Sequence, residues 1–270
     1  MLRMYLLQIW YGLSDELTEE GIYDSRAMCA FMRTDFMKTQ APDATTLMNF
    51  RHLLERNGNG LQEKIDAEIV ALLESQGLIM HGGTIADATV IQAPSSTRNR
   101  TKTRDAEMAS AKKGKNYYFG LKAHIGVDAG SGAVVNPAYT AANESDITQA
   151  HKCYRKDGKV RYGDAGFTGV EKRPEIQAMD EGKEVRYLIS KRPSVRTEKH
   201  NYPVNWEKKI EAGKAARRWM VEYPFYIVKR IFGCGRAIYR GLYKNGCRQD
   251  MAFVSANLYM FRHRLLPKAT

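Results

Sequence analysis

The chain has 270 residues, 43% of them hydrophobic, so it can bury one sizeable core and a smaller second domain. Its net charge of +12 is unevenly distributed: residues 1–80 carry 7 Lys/Arg against 12 Asp/Glu, and residues 81–270 carry 35 Lys/Arg against 18 Asp/Glu. The excess of basic residues in the second part favours a nucleic acid as its partner. The four cysteines form no Cys-x-x-Cys pair, which argues against a zinc site or a disulfide framework and favours reduced thiols in a cytoplasmic protein.

The first 80 residues predict a small all-helical domain. An apolar run over residues 2–10 is too short to span a membrane and lacks a signal-peptide cleavage site, so we expect a buried helix that begins abruptly. Further helices are predicted over residues 15–22, 25–37, 43–56 and 61–75, the third of these capped by Asp43 or Thr45. The acidity of this domain weakens a role in reading DNA, although three of its side chains could contact phosphates, namely Arg51, His52 and Arg56.

From about residue 83 the hydrophobic pattern changes from helix-like to strand-like. Short β-branched runs predict strands over residues 84–91, 117–127, 133–140, 159–164 and 185–189, with a hairpin turn at 128–132. Helices are predicted from the cap residue Asp146 to Cys153 and over residues 170–179 and 206–229. This order of three strands, helix, strand, helix, strand and helix predicts an α/β domain with a mixed sheet flanked by helices over residues 81–270.

Three acidic residues fall where this layout could bring them together. Asp87 lies within the first predicted strand, Asp164 ends the fourth, and Glu222 lies on the last helix. Such carboxylates can hold two divalent ions that activate a water or hydroxyl and stabilise a leaving oxygen at phosphorus, and Mg²⁺ suits an all-oxygen site. Asp128 at the hairpin turn and Asp146 at a helix start are rival acids that could take the place of Asp87.

The last predicted helix carries Arg218, Glu222 and Lys229 at offsets of four and seven, which places them on one helical face. From spacing alone, a solvated charged face with an ion pair between Arg218 and Glu222 is the simpler interpretation. Pro224 leaves two possibilities open. It either kinks the helix after Glu222 or marks the first turn of a new helix, and in the second case the three side chains do not share a face.

Two basic stretches favour contacts with a polynucleotide. A long polar loop between the first two predicted strands carries cations that we expect to contact phosphates: Arg98, Arg100, Lys102, Arg104, Lys112, Lys113 and Lys115. A second cluster, interleaved with aromatic residues that could stack on unpaired bases, has cations that include Lys229, Arg236, Arg240 and Lys244. The alternatives are a solvated insertion for the loop and a core role for the aromatic residues.

Three short motifs surround the three acids: Ala86-Asp-Ala-Thr89, Gly163-Asp-Ala-Gly-Phe167 and Arg218-x3-Glu222-x6-Lys229. With Lys122-Ala-His-Ile-Gly-Val-Asp128 and Asn143-Glu-Ser-Asp146, they resemble the corresponding blocks of the bacterial insertion-sequence DDE transposases, of the insertion-sequence-five type. The N-terminal segment from Pro42 to Arg51 resembles the helical N-terminal domain of the same family, so the likeness covers nearly the whole chain.

The resemblance implies a ribonuclease-H-like catalytic domain over residues 81–270, preceded by the helical domain over 1–80. In it, Asp87, Asp164 and Glu222 are catalytic and bind two Mg²⁺ ions, for which Mn²⁺ can substitute, while Arg218 and Lys229 face DNA or shape the site. The implied activity is cleavage at mobile-element ends and strand transfer. Its implied partner is double-stranded DNA, both terminal inverted repeats and target, bound by a homodimer or larger assembly in the bacterial cytoplasm, at the nucleoid and without a membrane.

The chain departs from this family at two places. Ala215 stands where the family has a tyrosine three residues before Arg218, so a stacking or terminal-base contact from that position is lost. The resemblance also leads us to expect that the family's usual leading segment is absent before Leu2, and that the helices that pack on it are exposed or unstable. Two other functions stay open, namely a related metal-dependent nuclease without strand transfer and a catalytically impaired or domesticated DNA-binding protein.

Overall fold

A computed structural model of the protein describes residues 1–33, 35, 38–56, 60–98, 102–191 and 206–266. At residues 206 and 207 the structure describes the helical backbone but not the side chains. Two predictions fall in the gaps. Arg100 lies outside the described residues, and so do residues 34, 36 and 37 at the end of the helix predicted over 25–37.

The N-terminal region is helical, as predicted. It contains α1 (Leu2–Tyr11), α2 (Asp15–Asp24), α3 (Arg26–Met32), α4 (Ala44–Leu54) and α5 (Leu61–Ser75). Asp43 caps α4, because its Oδ1 accepts a hydrogen bond of 2.6 Å from Thr46 N. The first helix begins at Leu2 without a side-chain cap and buries Met4, Leu7 and Ile9, which confirms the buried helix with an abrupt start.

The rest of the chain is built on one mixed, six-stranded sheet. Its strands are β1 (Thr84–Gln92), β2 (Ala109–Lys113), β3 (Asn116–Asp128), β4 (Val134–Ala141), β5 (Val160–Gly163) and β6 (Arg186–Ile189). The long β3 pairs antiparallel with β1, β2 and β4, whereas β5 runs parallel to both β1 and β6. The predicted mixed sheet is therefore confirmed, and it has the arrangement expected of a ribonuclease-H-like domain.

The prediction of a single long loop between the first two strands is wrong in one part. Residues Ala109–Lys113 form β2, which pairs with the start of β3 across a two-residue turn in which Gly114 has a φ of 63°. The part of this connection just before β2 is tied down, because Asp105 and Glu107 accept hydrogen bonds of 2.6 and 2.7 Å from the backbone N–H groups of Gly241 and Leu242. These two carboxylates satisfy donors at the start of the last helix.

The C-terminal helices cover the sheet. A short 3₁₀ turn (Asp146–Gln149) leads into α6 (Ala150–Cys153), and α7 (Pro174–Asp180), α8 (Trp206–Tyr226) and α9 (Leu242–Leu265) follow. Between α8 and α9 the chain continues as a π-helix, Ile227–Ile231. Because α8 runs through Pro224, the alternative in which a new helix begins at that proline is wrong, and Arg218 and Glu222 lie on one helix.

One hydrophobic core joins the sheet to helices from both ends of the chain. Ile85 of β1, Val221 of α8 and Phe253 of α9 belong to the same buried cluster as Leu7 of α1 and Leu47 of α4. On the opposite face of the sheet, a smaller cluster packs α6 and α7. A boundary between two domains at residue 80 stays a prediction. None of the described helices combines the length and apolarity that crossing a membrane requires.

The prediction that Arg51 contacts phosphate is wrong, because this side chain is buried. Its guanidinium forms an ion pair with Asp15, donates a 3.0 Å hydrogen bond to Gln8 Oε1, and lies 5.6 Å from the ring centroid of Tyr239. Burial raises the pKa of Asp15, but the hydrogen bonds from Arg51 and Gln8 outweigh burial and leave that pKa lowered. Arg51 therefore stabilises the contact between the N-terminal helices and the segment before α9.

Candidate active site

A cavity of about 600 Å³ opens where β1 and β5 separate. The two strands pair only at Thr84 with Arg161 and Ile85 with Tyr162. Farther along β1, the backbone of Gln92 is again hydrogen-bonded on this edge, because its carbonyl accepts a 2.7 Å hydrogen bond from Ala237 N. The stretch of β1 between these two points has an edge that none of the six described strands covers, and this edge forms the floor of the cavity.

The three predicted acids all line this cavity. Asp87 lies on β1, two residues beyond the last pair with β5, and Asp164 directly follows the end of β5. Glu222 reaches the cavity from α8, which packs across β1 and β5. The parallel register of β1 and β5 brings Asp87 level with Asp164 just beyond the end of β5, and the helix supplies the third side.

The charges of these carboxylates are poorly compensated. Burial raises the pKa of Asp87 to about 6, Asp164 and Glu222 raise it further, and the hydrogen bond from Ala88 N and the charge of Arg218 oppose the rise. Asp164 Oδ1 accepts a 2.8 Å hydrogen bond from Gly166 N, which fixes it at the start of a 3₁₀ turn. Asp87, Asp164 and Glu222 therefore form an acidic group within the cavity, whose charge an added cation would offset.

Two cations from the helical side complete this part of the cavity. Arg218 lies one turn before Glu222, and its buried Nε finds no hydrogen-bond partner in the described part of the chain, so the simpler interpretation as a surface ion pair is not supported. Lys229, in the π-helix, donates hydrogen bonds of 2.6 Å to Thr89 Oγ1 and 2.8 Å to Val90 O. Burial and the charge of Lys113 lower the pKa of Lys229 to about 8, against the opposing effect of Glu222.

The two rival acids have different surroundings. Asp128 is fully buried, and its Oδ2 accepts hydrogen bonds from the backbone of Met80, Gly130 and Ser131, which makes it a turn-stabilising residue outside the cavity. Asp146 does line the cavity. The prediction that Asp146 caps a helix is wrong, because Ser145 holds the cap position and no side-chain capping bond forms there.

Asp146 instead pairs with a lysine that sequence reasoning did not select as a site residue. Its Oδ1 lies 2.9 Å from Lys122 Nζ, and Lys122 lines the cavity from β3. The motif Lys122-Ala-His-Ile-Gly-Val-Asp128 carried the available signal, because a lone cation in an otherwise apolar strand needs a partner. Nearby, His124 Nε2 lies 2.8 Å from Thr140 Oγ1, and burial lowers the pKa of His124 to about 4.

The predicted DNA-binding cations divide into two groups. Lys112 and Lys113, on β2, line the cavity together with Arg218 and Lys229. The others are exposed outside it, and Arg104 among them places its guanidinium 5.5 Å from the ring centroid of Phe119. The exposed group consists of Arg98, Lys102, Arg104, Lys115, Arg236, Arg240 and Lys244.

The residues present fit a divalent metal ion, although they do not form a preassembled site. Within the described ranges, no three acids, histidines or cysteines converge as a metal-binding group. The donors that Asp87, Asp164 and Glu222 offer are all carboxylate oxygens, which hard cations such as Mg²⁺ prefer. This donor set supports the fit, and a bound cation would favour the ionised form of Asp87, whose pKa is raised mainly by burial and further by Asp164 and Glu222.

Comparison with known protein families gives two matches. The family model described as Transposase DDE domain matches residues 80–258, which is more than half of the chain and includes the whole cavity. The model described as Transposase domain (DUF772) matches residues 1–53, within the N-terminal helices. No solved structure matches the chain.

Proposed function

We propose that this chain, which belongs to the DDE transposase family, cuts DNA at the ends of its own mobile element and joins those ends to target DNA. As a member of that family it is an enzyme that acts on DNA, and the family uses divalent metal ions. Assignment to the insertion-sequence-five type remains a prediction. The substrate we propose is double-stranded DNA that carries terminal inverted repeats, together with target DNA.

The observation that supports this proposal is the meeting of Asp87, Asp164 and Glu222, from three separate elements, in one cavity. We propose that these carboxylates bind two Mg²⁺ ions, for which Mn²⁺ can substitute. When bound, such ions supply a lowered pKa for an attacking hydroxyl and stabilise the leaving oxygen at phosphorus. In each step an oxygen of water or of a DNA 3′ hydroxyl bonds to phosphorus while the bond to the leaving oxygen breaks.

The cations of the cavity would hold the DNA backbone during these steps. Arg218 is half-buried and lines the cavity, so its guanidinium can donate to a phosphate oxygen, and Lys229 is fixed on β1. Lys112 and Lys113 approach from β2. We propose that the exposed cations outside the cavity contact flanking phosphates: Arg98, Arg100, Lys102, Arg104, Lys115, Arg236, Arg240 and Lys244. Bringing two ends together implies a dimer or larger assembly, acting at the bacterial nucleoid.

The test uses linear DNA with candidate inverted repeats, incubated with Mg²⁺. Asp87→Ala, Asp164→Ala and Glu222→Ala should each reduce strand cleavage by at least about 10³-fold, while binding of the end DNA in EDTA persists. Glu184→Ala, which removes an exposed acid outside the cavity, is the matched control and should cleave normally. If all three variants cleave like the wild type, the proposed site is wrong.

Pre-cut ends distinguish the remaining activities. A joined product in Mg²⁺ supports strand transfer, whereas cleavage of intact ends without any joined product would identify a nuclease. Specific binding of the ends with no nicking in Mg²⁺ or Mn²⁺ would identify a DNA-binding protein that has lost catalysis.

A further inference from the structure

Lys122 occupies an unusual position for a lysine. It lies in β3 between apolar neighbours, and its side chain is only 16% exposed. Its register partner on β1 is Val90, the residue whose carbonyl accepts a hydrogen bond from Lys229. The two lysines thus approach the same segment of β1, one from the sheet and one from the helical side of the cavity.

The ammonium of Lys122 has one hydrogen-bond acceptor and one ion-pair partner. Nζ donates a 2.6 Å hydrogen bond to Glu144 O and lies 2.9 Å from Asp146 Oδ1, which accepts no hydrogen bond from the described residues. An ammonium group has three donors, so N–H groups remain for a ligand. Because Lys122 and Asp146 both line the cavity, that ligand can be a group bound beside the catalytic acids.

Asp146 lies between Lys122 and a buried histidine. It begins the 3₁₀ turn that leads into α6, and the Nδ1 atom of His124 lies 3.7 Å from its Oδ1. His124 is 1% exposed, and its other ring nitrogen is engaged with Thr140. The Asp146 carboxylate, 34% exposed, therefore meets the ammonium of Lys122 at the side of the cavity formed by β3.

We propose that Lys122 binds a backbone phosphate of the DNA end on the sheet side of the active site, and that Asp146 is the positioning residue that holds Lys122 there. This inference rests on the proposed function. It gives the cavity two cationic walls, with Arg218 and Lys229 on the helical side and Lys122 on the sheet side. The phosphodiester that reacts would lie between them, above Asp87.

The first experiment measures binding of end DNA in EDTA by fluorescence anisotropy over a range of salt concentrations. Lys122→Gln should weaken binding about three- to tenfold and reduce the slope of log K against log[salt] by about one, because one phosphate contact is lost. Lys122→Arg should retain the slope. The matched control is Lys159→Gln, an exposed lysine just before β5, at the end of that strand away from Asp164, which should bind like the wild type.

The second experiment measures cleavage in Mg²⁺ at saturating DNA. Asp146→Asn keeps the charge of Lys122, so binding should be unchanged or tighter while the cleavage rate falls about tenfold. The double variant with Lys122→Gln should be no slower than Lys122→Gln alone, since the two residues act as one unit. If the role of Asp146 is purely structural, Asp146→Asn should lower DNA binding, the cleavage rate and the unfolding midpoint together. This comparison does not use Lys122→Gln, so the inference can be tested even if that variant fails to fold.

Two results would overturn the inference. If Lys122→Gln matches Lys159→Gln in affinity, salt slope and cleavage, Lys122 does not bind phosphate. If the effects of Asp146→Asn and Lys122→Gln multiply in the double variant, Asp146 acts independently of Lys122, for example on the metal ions. Absence of cleavage by the wild type would instead count against the proposed function, which separates the two failures.

Discussion

Arg51 and Arg218 show how differently two regions of this protein use an arginine. Arg51, in the N-terminal helices, is 6% exposed and is bonded to Asp15 and Gln8 beneath the ring of Tyr239. Arg218, in the cavity, is half-buried, and its Nε has no hydrogen-bond partner among the described residues. Both side chains were candidates for phosphate binding from the sequence, and only Arg218 is placed to do it.

The carboxylates of the two regions differ in the same way. Hydrogen bonds from Arg51 and Gln8 leave the pKa of Asp15 lowered despite burial, whereas burial and neighbouring acids raise the pKa of Asp87 to about 6. A lowered acid pKa stabilises the folded state at neutral pH, and a raised one destabilises it. The Asp15 carboxylate is therefore arranged for stability, whereas the Asp87 carboxylate is left for a ligand.

The largest effect is expected from breaking the pair in the N-terminal helices. Arg51→Ala leaves Asp15 and Gln8 partly buried without their partner, so the free energy of unfolding should fall by about 3 kcal/mol. Urea denaturation at pH 7 measures this, with the exposed Arg26→Ala on α3 as control. A loss below about 1 kcal/mol would mean that Arg51 is not structural.

Replacing Arg218 in the cavity should reduce cleavage and leave stability nearly unchanged, unlike Arg51→Ala, which should reduce stability. Arg218→Gln should slow strand cleavage about 10- to 100-fold, because a donor to the phosphate is lost, while the unfolding free energy changes by less than about 0.5 kcal/mol. Arg186→Gln, at an exposed position of β6 outside the cavity, provides the comparison and should cleave at close to the wild-type rate. A large loss of stability without a loss of cleavage would remove the contrast with Arg51.

Asp87→Asn should stabilise the metal-free protein. Because the pKa rises from the ordinary value of about 3.9 to about 6 in the folded state, the carboxylate costs nothing at pH 4 and its full cost above pH 6. Allowing for partial solvent screening, the gain at pH 8 should be about 1–2 kcal/mol, and it should vanish at pH 4. Urea denaturation in EDTA checks this, and Asp15→Asn should shift stability at pH 8 in the opposite direction.

The smallest expected effect concerns Lys229. Since its pKa is lowered to about 8, it loses its charge between pH 7 and pH 9, where other lysines stay protonated. Binding of end DNA in EDTA should therefore weaken about two- to threefold over this range. In Lys229→Arg the side chain stays charged up to pH 9, so the affinity for end DNA should no longer depend on pH. If the affinity of this variant still falls between pH 7 and pH 9, another group is responsible for the pH dependence.

Most of the fold could be predicted because local pattern and final structure agree. The β-branched run in β1 and the alternation in β3 are signals that need no tertiary context. β2 was missed because its sequence, Ala-Ser-Ala-Lys-Lys, has neither β-branched nor aromatic residues, and it becomes a strand through its pairing with β3. The π-helix after α8 likewise leaves no simple pattern in sequence.

The site was predictable only in part for the same reason. The three acids could be placed near one another because the order of the strands and of α8 determines their positions. The pair between Lys122 and Asp146 depends on how β3 lies beside the 3₁₀ turn, 24 residues later in the chain, and the sequence does not specify that contact. The burial of Arg51 depends on Asp15, 36 residues away in the sequence, and on Tyr239, which is much farther along the chain.

The most direct test of the metal site replaces a carboxylate with a thiolate. A thiolate is a poor ligand for Mg²⁺ and a better one for softer ions such as Zn²⁺, with Mn²⁺ between them. Asp87→Cys and Asp164→Cys should not cleave end DNA in Mg²⁺ and should recover cleavage when Mn²⁺ or Zn²⁺ is supplied, while Glu184→Cys cleaves in Mg²⁺. Cleavage by Asp87→Cys and Asp164→Cys in Mg²⁺ at the wild-type rate would contradict the assignment of these carboxylates as metal ligands.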